Sequence, residues 1–227
     1  MSNNFEVRVS ELINNPSNRV PVVLCLDASG SMTGDPMREL NEGIRLFVST
    51  VKEDPIASSS VELCVVTFSD DARIVADFRE LTNLQFDQLT STDGMTNLGA
   101  GVNLALDSLE QRKAEYKKVG VEYYQPWMVL MTDGCPNVGT VHLDAADKTI
   151  CLEAERKLVV FPIGIGKDAD MNELARFSKK RQPLKLKGLN FRQFFDWLSK
   201  SVSRVSQSMP GEKITIDTAG ISGWGEI

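Results

Sequence analysis

The sequence predicts an α/β domain in which a doubly wound, mostly parallel sheet with one antiparallel edge strand carries helices on both faces. Short, nearly unbroken apolar runs alternate with amphipathic segments of helical period, a pattern typical of strands buried between two helical layers. Residues 61–69 and 73–78 are both strand-like, and the turn between them is too short for a parallel crossover. The 227 residues, 42% of them hydrophobic, are enough for one core of this size.

The remaining elements follow from the same periodicities. Asp35 and Pro36 predict a helix start, with Asp35 as the cap and Pro36 in the first turn. Residues 110–120 are highly charged, and we expect a solvated helix end or loop there. The other predicted strands are at 20–26, 126–132, 158–165 and 184–187, and the predicted helices are at 36–53, 98–109, 144–156, 171–179 and 190–206.

These elements divide the chain into a core domain at residues 20–206 and two flanking segments. In the extension at residues 1–19, apolar residues at Phe5, Val7 and Val9 alternate with polar ones, which indicates an accessory edge strand. The tail at residues 207–227 is rich in glycine, yet it carries alternating apolar side chains. We expect it to fold back as a strand against the N-terminal extension.

Charge and cysteine usage narrow the function classes. A net charge of −6 and a pI near 5.0 argue against nucleic-acid binding. No apolar run reaches the length of a membrane span, and the first residues do not resemble a secretory signal. Buried thiols are favoured over disulfides or a zinc ribbon, because the four cysteines form no Cys-x-x-Cys pair: Cys25, Cys64, Cys135 and Cys151. We therefore expect a cytoplasmic protein without a membrane partner.

Oxygen-bearing side chains follow two of the predicted buried strands. The first strand ends in Asp27, Ser29 and Ser31, separated only by small residues, and the strand at 126–132 ends at Asp133. Thr96 lies in a loop that leads into a helix. Because α/β sheets bind ligands at the carboxyl ends of their strands, we expect these side chains to converge.

Such a group of oxygens suits a hard cation. Mg²⁺ or Mn²⁺ is the expected metal, with Ca²⁺ as a further candidate. Two carboxylates neutralise the cation formally, and neutral hydroxyls as the other ligands leave a coordination position for an exchangeable water. An Asp or Glu side chain of a protein partner is the natural occupant of that position.

The motifs Asp27-Ala-Ser29-Gly-Ser31, Thr96 and Thr132-Asp133-Gly resemble the metal-ion-dependent adhesion site of von Willebrand factor A domains. The resemblance covers roughly residues 20–206 and implies that Asp27, Ser29, Ser31, Thr96 and Asp133 are the metal ligands. Overall similarity, including Asp133-Gly-Cys-Pro, is greatest to short bacterial cytoplasmic members such as the TerY-type proteins of tellurite resistance. The Cys-rich extension of some relatives is missing.

Several alternatives stay open at this stage. Thr96 is equally suited to capping a helix, and Asp70 and Asp71 are expected in a solvated turn. His142, the only histidine, excludes multi-histidine metal sites, and a surface or loop role is expected for it.

Two functions from different classes compete. The favoured one is a non-enzymatic, metal-dependent protein-interaction module in a bacterial stress-response or signalling assembly. The alternative is a Mg²⁺-dependent phosphatase or phosphotransferase with Asp27 as nucleophile. Enzymes that this alternative would resemble carry a second carboxylate two residues after the nucleophile. Here that position is Ser29, which weakens the alternative.

Overall fold

The computed structural model describes residues 9–133, 139–210, 221–223 and 225–226. Residues 9–14 are helical and are termed α1. The other helices are α2 (Asp35–Glu53), α3 (Pro55–Ser60), α4 (Leu98–Val119), α5 (Val141–Ala154), α6 (Met171–Leu174) and α7 (Phe191–Ser206). The strands are β1 (Val20–Asp27), β2 (Val61–Phe68), β3 (Ala72–Glu80), β4 (Trp127–Thr132), β5 (Val159–Gly164), β6 (Leu184–Leu186) and β7 (Gly225–Glu226).

The strands form one seven-stranded sheet in the order β3-β2-β1-β4-β5-β6-β7. The central pairs are parallel, and β3 lies antiparallel to β2 at one edge, which confirms the predicted fold class and the hairpin. The two-residue strand β7 adds a second antiparallel pairing at the opposite edge. The chain moves outward from β1 to β2 and β3 and then crosses back to β4, so the order reverses beside β1.

Helices cover both faces of the sheet, and β1 shows how its residues divide between them. Val22, Leu24 and Leu26 contribute to the core on the face covered by α2 and α7. Val23 and Cys25 contribute to the core on the face covered by α4 and α5. Every residue of β1 is buried, because successive side chains point into opposite apolar layers.

The start of α2 differs from the prediction by one residue. Gly34 is the N-cap, with a φ of 84° that glycine adopts without strain, and Asp35 is already in the first helical turn. Asp35 therefore does not cap the helix, although Pro36 occupies the first turn as expected.

The prediction of a solvated helix end or loop at residues 110–120 is wrong for part of this segment. Helix α4 continues to Val119, and it buries charged side chains that periodicity alone assigned to solvent. Arg112 donates two hydrogen bonds of 2.7 Å to the Glu62 carboxylate, and Tyr116 donates one of 2.5 Å. Burial is possible here because each buried charge has a partner: Glu62 on β2 pairs with Arg112, and residues of α4 itself pair with Lys113 and Glu115.

The flanking segments differ in part from expectation. Val9 is helical, so the predicted N-terminal edge strand does not include it, while Phe5 and Val7 lie outside the described residues. The described tail residues Gly225 and Glu226 pair with β6.

The cysteines differ in burial. Cys25 and Cys64 are buried as predicted, but Cys151 is exposed, because it lies on the solvent side of α5. Cys135 lies outside the described residues.

Candidate metal site

The predicted ligands gather where the sheet order reverses. Strands β1 and β4 are parallel neighbours with Leu26 opposite Met131, so Asp27 and Thr132 end the two strands side by side. Residues 28–31 and Asp133 follow these strands at the same edge of the sheet. A crevice of this kind, between neighbouring strands whose connections run in opposite directions, is the usual ligand position in open α/β sheets.

Three of the predicted ligands form a continuous chain of polar contacts. The hydroxyl oxygens of Ser29 and Ser31 are 3.1 Å apart. The Ser31 hydroxyl donates a hydrogen bond of 2.7 Å to the carboxylate of Asp133, which is 102 residues away in the sequence. The structure thus brings the turn after β1 into direct contact with Asp133, which follows β4.

Asp27 lies beneath this chain and is held from two sides. The backbone N–H of Ser29 donates to its Oδ1 at 2.8 Å, and the Thr132 hydroxyl donates to its Oδ2 at 2.5 Å. Asp27 is fully buried, so these two donors fix the orientation of its carboxylate.

Thr96 lies on a segment that is hydrogen-bonded to the same turn. The N–H of Thr92 donates to the carbonyl of Ala28 at 2.8 Å, and the N–H of Gly30 faces the carbonyl of Gly94 at 3.4 Å. Thr96 is 5% exposed, and it precedes the helix cap. The cap is Asn97, whose side chain accepts from the N–H of Ala100, so the capping role considered for Thr96 belongs to its neighbour.

The pKa values of the two carboxyl groups at the site are raised. Burial raises the pKa of Asp27, opposed by the hydrogen bonds from Ser29 and Thr132, and the neighbouring Asp133 adds to the increase. Burial also raises the pKa of Asp133, with the hydrogen bond from Ser31 opposing it and Asp168 raising it further. Two nearby carboxylates with few cationic neighbours are an arrangement that a bound divalent cation relieves.

The donor set fits a hard cation. Two carboxylates and three hydroxyls offer only oxygen, which Mg²⁺ and Mn²⁺ prefer to nitrogen or sulfur. Among the residues that the structure describes, no three His, Cys, Asp or Glu side chains gather as a metal-binding group. The candidate site needs no such group, because three of its five candidate ligands are hydroxyls.

Two side chains at the site were missed by the sequence reasoning. Thr132 supports Asp27, and a hydroxyl at the last position of an otherwise apolar strand was the signal for it. Asp168, after β5, acts on Asp133 only through space, which no local pattern reveals.

Two further polar residues are placed differently from expectation. Asp70, expected in a solvated turn, is exposed but also accepts from the N–H of Met95 at 2.8 Å and so shapes the Thr96 loop. His142, expected at the surface or in a loop, lies in the first turn of α5 with a side chain only 13% exposed. Its Nε2 is 3.5 Å from the Glu173 carboxylate.

The chain belongs to the von Willebrand factor type A domain family, whose model matches residues 22–195. Inter-alpha-trypsin inhibitor heavy chain H2 from Mesocricetus auratus is 24% identical over 199 residues, 84% of this chain and 20% of that protein. Heavy chain H3 of the same organism is 22% identical over 158 residues, 67% of this chain and 17% of that protein. The chain therefore spans about a fifth of the length of these curated relatives.

Solved structures show the same fold at low sequence identity. Proximal thread matrix protein 1 from the mussel byssus, in a form with a zinc-occupied metal-ion-dependent adhesion site, aligns with a TM-score of 0.57 and 19% identity, covering 82% of this chain and 48% of that one. The pilus adhesin SpaC from Lactobacillus rhamnosus GG aligns with a TM-score of 0.66 and 14% identity, covering 83% and 30%. Within the described residues, none of the helices has the length and apolar character needed to cross a membrane.

Proposed function

We propose that this domain is a metal-dependent protein-interaction module that binds a carboxylate of its partner through a divalent cation. The observation that carries the proposal is the contact chain from Ser29 through Ser31 to Asp133, built over the buried Asp27. It joins two strand ends into one oxygen-lined site. The zinc-occupied site of the mussel protein supports the assignment of a metal to this position of the fold.

Five residues would hold the cation: Asp27, Ser29, Ser31, Thr96 and Asp133. Mg²⁺ or Mn²⁺ is the proposed metal, and Ca²⁺ is a weaker candidate. When bound, the cation offers an exchangeable coordination position to an Asp or Glu oxygen of the partner. Helix α2 begins four residues after Ser31, and its first turn adds partial positive charge that favours the incoming anion.

Calorimetric titration of Mg²⁺ and Mn²⁺ tests the site directly. Asp27→Ala should abolish measurable binding, because it removes a carboxylate that is fixed by two donors. Asp107→Ala, at an exposed position on α4, is the matched control and should bind as the wild type does. Undiminished affinity in Asp27→Ala would refute the assignment of these ligands.

Binding, and not catalysis, is the proposed activity. Both Asp27 oxygens accept hydrogen bonds inside a fully buried position, which suits a positioned ligand better than an attacking nucleophile. Hydrolysis of p-nitrophenyl phosphate by the wild type and by Asp27→Asn distinguishes the two. Mg²⁺-dependent turnover that disappears in Asp27→Asn would favour the phosphatase alternative.

The cellular setting is proposed from resemblance. The similarity to short bacterial members of the TerY type favours a cytoplasmic role in a stress-response assembly like that of tellurite resistance. Affinity capture from a bacterial lysate, with Mg²⁺ or with a chelator, tests the metal-bridged interaction. We expect a specific partner to be lost on chelation and on Asp27→Ala. An unchanged set of partners would contradict metal-bridged recognition.

A further inference from the structure

We propose that a groove beside α2 docks an acidic, partly apolar peptide segment of the same partner that presents its carboxylate to the metal. The proposal rests on the proposed function for the identity of the partner, but the groove itself is independent of the metal. The groove has a volume of about 540 Å³ and lies between one face of α2 and residues 84–88.

The floor of the groove is apolar and fixed in place. Val48, Leu84 and Phe86 line it, and all three are half-buried because they also pack against the main core. Their remaining exposed surface gains from contact with one or two apolar side chains. A segment composed only of charged residues would leave this surface uncovered.

The rim of the groove is cationic. Arg45 and Lys52 are both exposed, and neither joins an ion pair with any residue in the described part of the chain. They lie seven residues apart on one helix face, a rise of about 10 Å. Asp87 is the acidic residue of the lining, so the groove keeps a net positive charge on a protein whose net charge is −6.

This spacing specifies the occupant. In a polyproline II peptide, with about three residues per turn, residues three apart lie on the same side and are separated by about 9 Å, close to this helix spacing. Two acidic residues at positions i and i+3, with apolar residues between them, therefore place one carboxylate near Arg45 and the other near Lys52. Their apolar neighbours then face Phe86 and the rest of the floor.

Residues 84–88 form the wall of the groove opposite α2, and the chain continues from this wall to the metal site. This continuity favours a peptide over an isolated small molecule as the occupant. Asn41 clamps this wall to α2, because its side chain donates to the carbonyl of Leu89 and accepts from the N–H of the same residue. Two residues further on, the hydroxyls of Ser91 and Thr33 are 2.9 Å apart, and Thr92 then pairs with Ala28. A chain lying along this wall thus leads to the metal site.

The test uses a fluorescein-labelled hexapeptide, Gly-Glu-Leu-Phe-Glu-Gly, and a matched peptide with lysine in place of both glutamates. Binding is followed by anisotropy in the presence of EDTA, so that the metal site makes no contribution. We expect the wild-type protein to bind the acidic peptide and not the lysine peptide. The double variant Arg45→Glu/Lys52→Glu should weaken binding about tenfold or more, because two favourable charge pairs become repulsive.

Lys117→Glu, at an exposed position near the end of α4, controls for a general effect of charge and should leave the affinity unchanged. Because the assay contains EDTA, its outcome does not depend on the metal site. The proposal is overturned if the double variant binds the acidic peptide as tightly as the wild type does, or if Lys117→Glu weakens binding equally. Neither result would affect the calorimetric test of metal binding.

Discussion

At the scale of single residues, the organisation of the site depends on how one buried carboxylate is supported. Asp27 receives its donors from its own turn and from the end of β4, so neither the motif nor the strand alone fixes it. Thr132 is 1% exposed, and its hydroxyl has a direct partner in the Asp27 carboxylate. A residue that holds a metal ligand in this way commonly affects metal affinity without contacting the metal.

Thr132→Val should therefore lower Mg²⁺ affinity by about tenfold, since valine keeps the shape of the side chain but removes the donor. Thr149→Val is the matched control, because Thr149 is also fully buried and donates to a backbone carbonyl, that of Phe177. It should lose stability and retain Mg²⁺ affinity. Calorimetric titration and urea denaturation of both variants separate the two effects. Equal Mg²⁺ affinity in Thr132→Val and the wild type would contradict the supporting role.

At the scale of elements, helices α4 and α5 approach each other closely. Gly99 lies in the first turn of α4, and a Cβ at this position would lie 2.5 Å from the backbone nitrogen of His142. It would also lie 2.6 Å from the carbonyl carbon of Val141. Because both neighbours are backbone atoms, no side-chain rotation can relieve the overlap.

Gly99→Ala should destabilise the protein by about 1–3 kcal/mol, although alanine normally favours a helix over glycine by about 1 kcal/mol. The sign of the change therefore reports the contact between the helices. Asp107→Ala on the exposed side of α4 should change stability by less than about 0.5 kcal/mol. The free energy of unfolding in urea is the measurement, and stabilisation by Gly99→Ala would show that α5 does not pack as closely as the structure indicates.

How well the sequence predicts the fold differs from one element to the next. The strands that lead to the site could be predicted because both faces are buried, which leaves nearly continuous apolar runs in β1 and β4. Helix α4 was predicted too short, because Arg112 and Glu115 look solvated until Glu62 on β2 is placed beside Arg112. Local periodicity contains no information on partners from other elements, which also explains why Asp168 was missed.

At the scale of the whole molecule, the two ends of the sheet carry different polar clusters. The candidate metal site lies at the carboxyl end of β1, and a buried ion network lies at the amino end. Arg19, just before β1, is 3.4 Å from the Glu62 carboxylate that also receives Arg112. Seven steps along β1 separate the two ends by roughly 23 Å. Stability and metal binding should therefore be separable by mutation.

Arg112→Met tests this separation, since methionine replaces much of the apolar stem of arginine and removes its charge. The variant should lose about 3–5 kcal/mol of stability, because Glu62 and Glu115 stay buried without the guanidinium that pairs with them. Provided that it is folded at the temperature of measurement, it should bind Mg²⁺ as the wild type does. Lys117→Met, at an exposed position five residues further along α4, should change neither quantity. A marked fall in Mg²⁺ affinity in folded Arg112→Met would show that the two ends of the sheet are coupled.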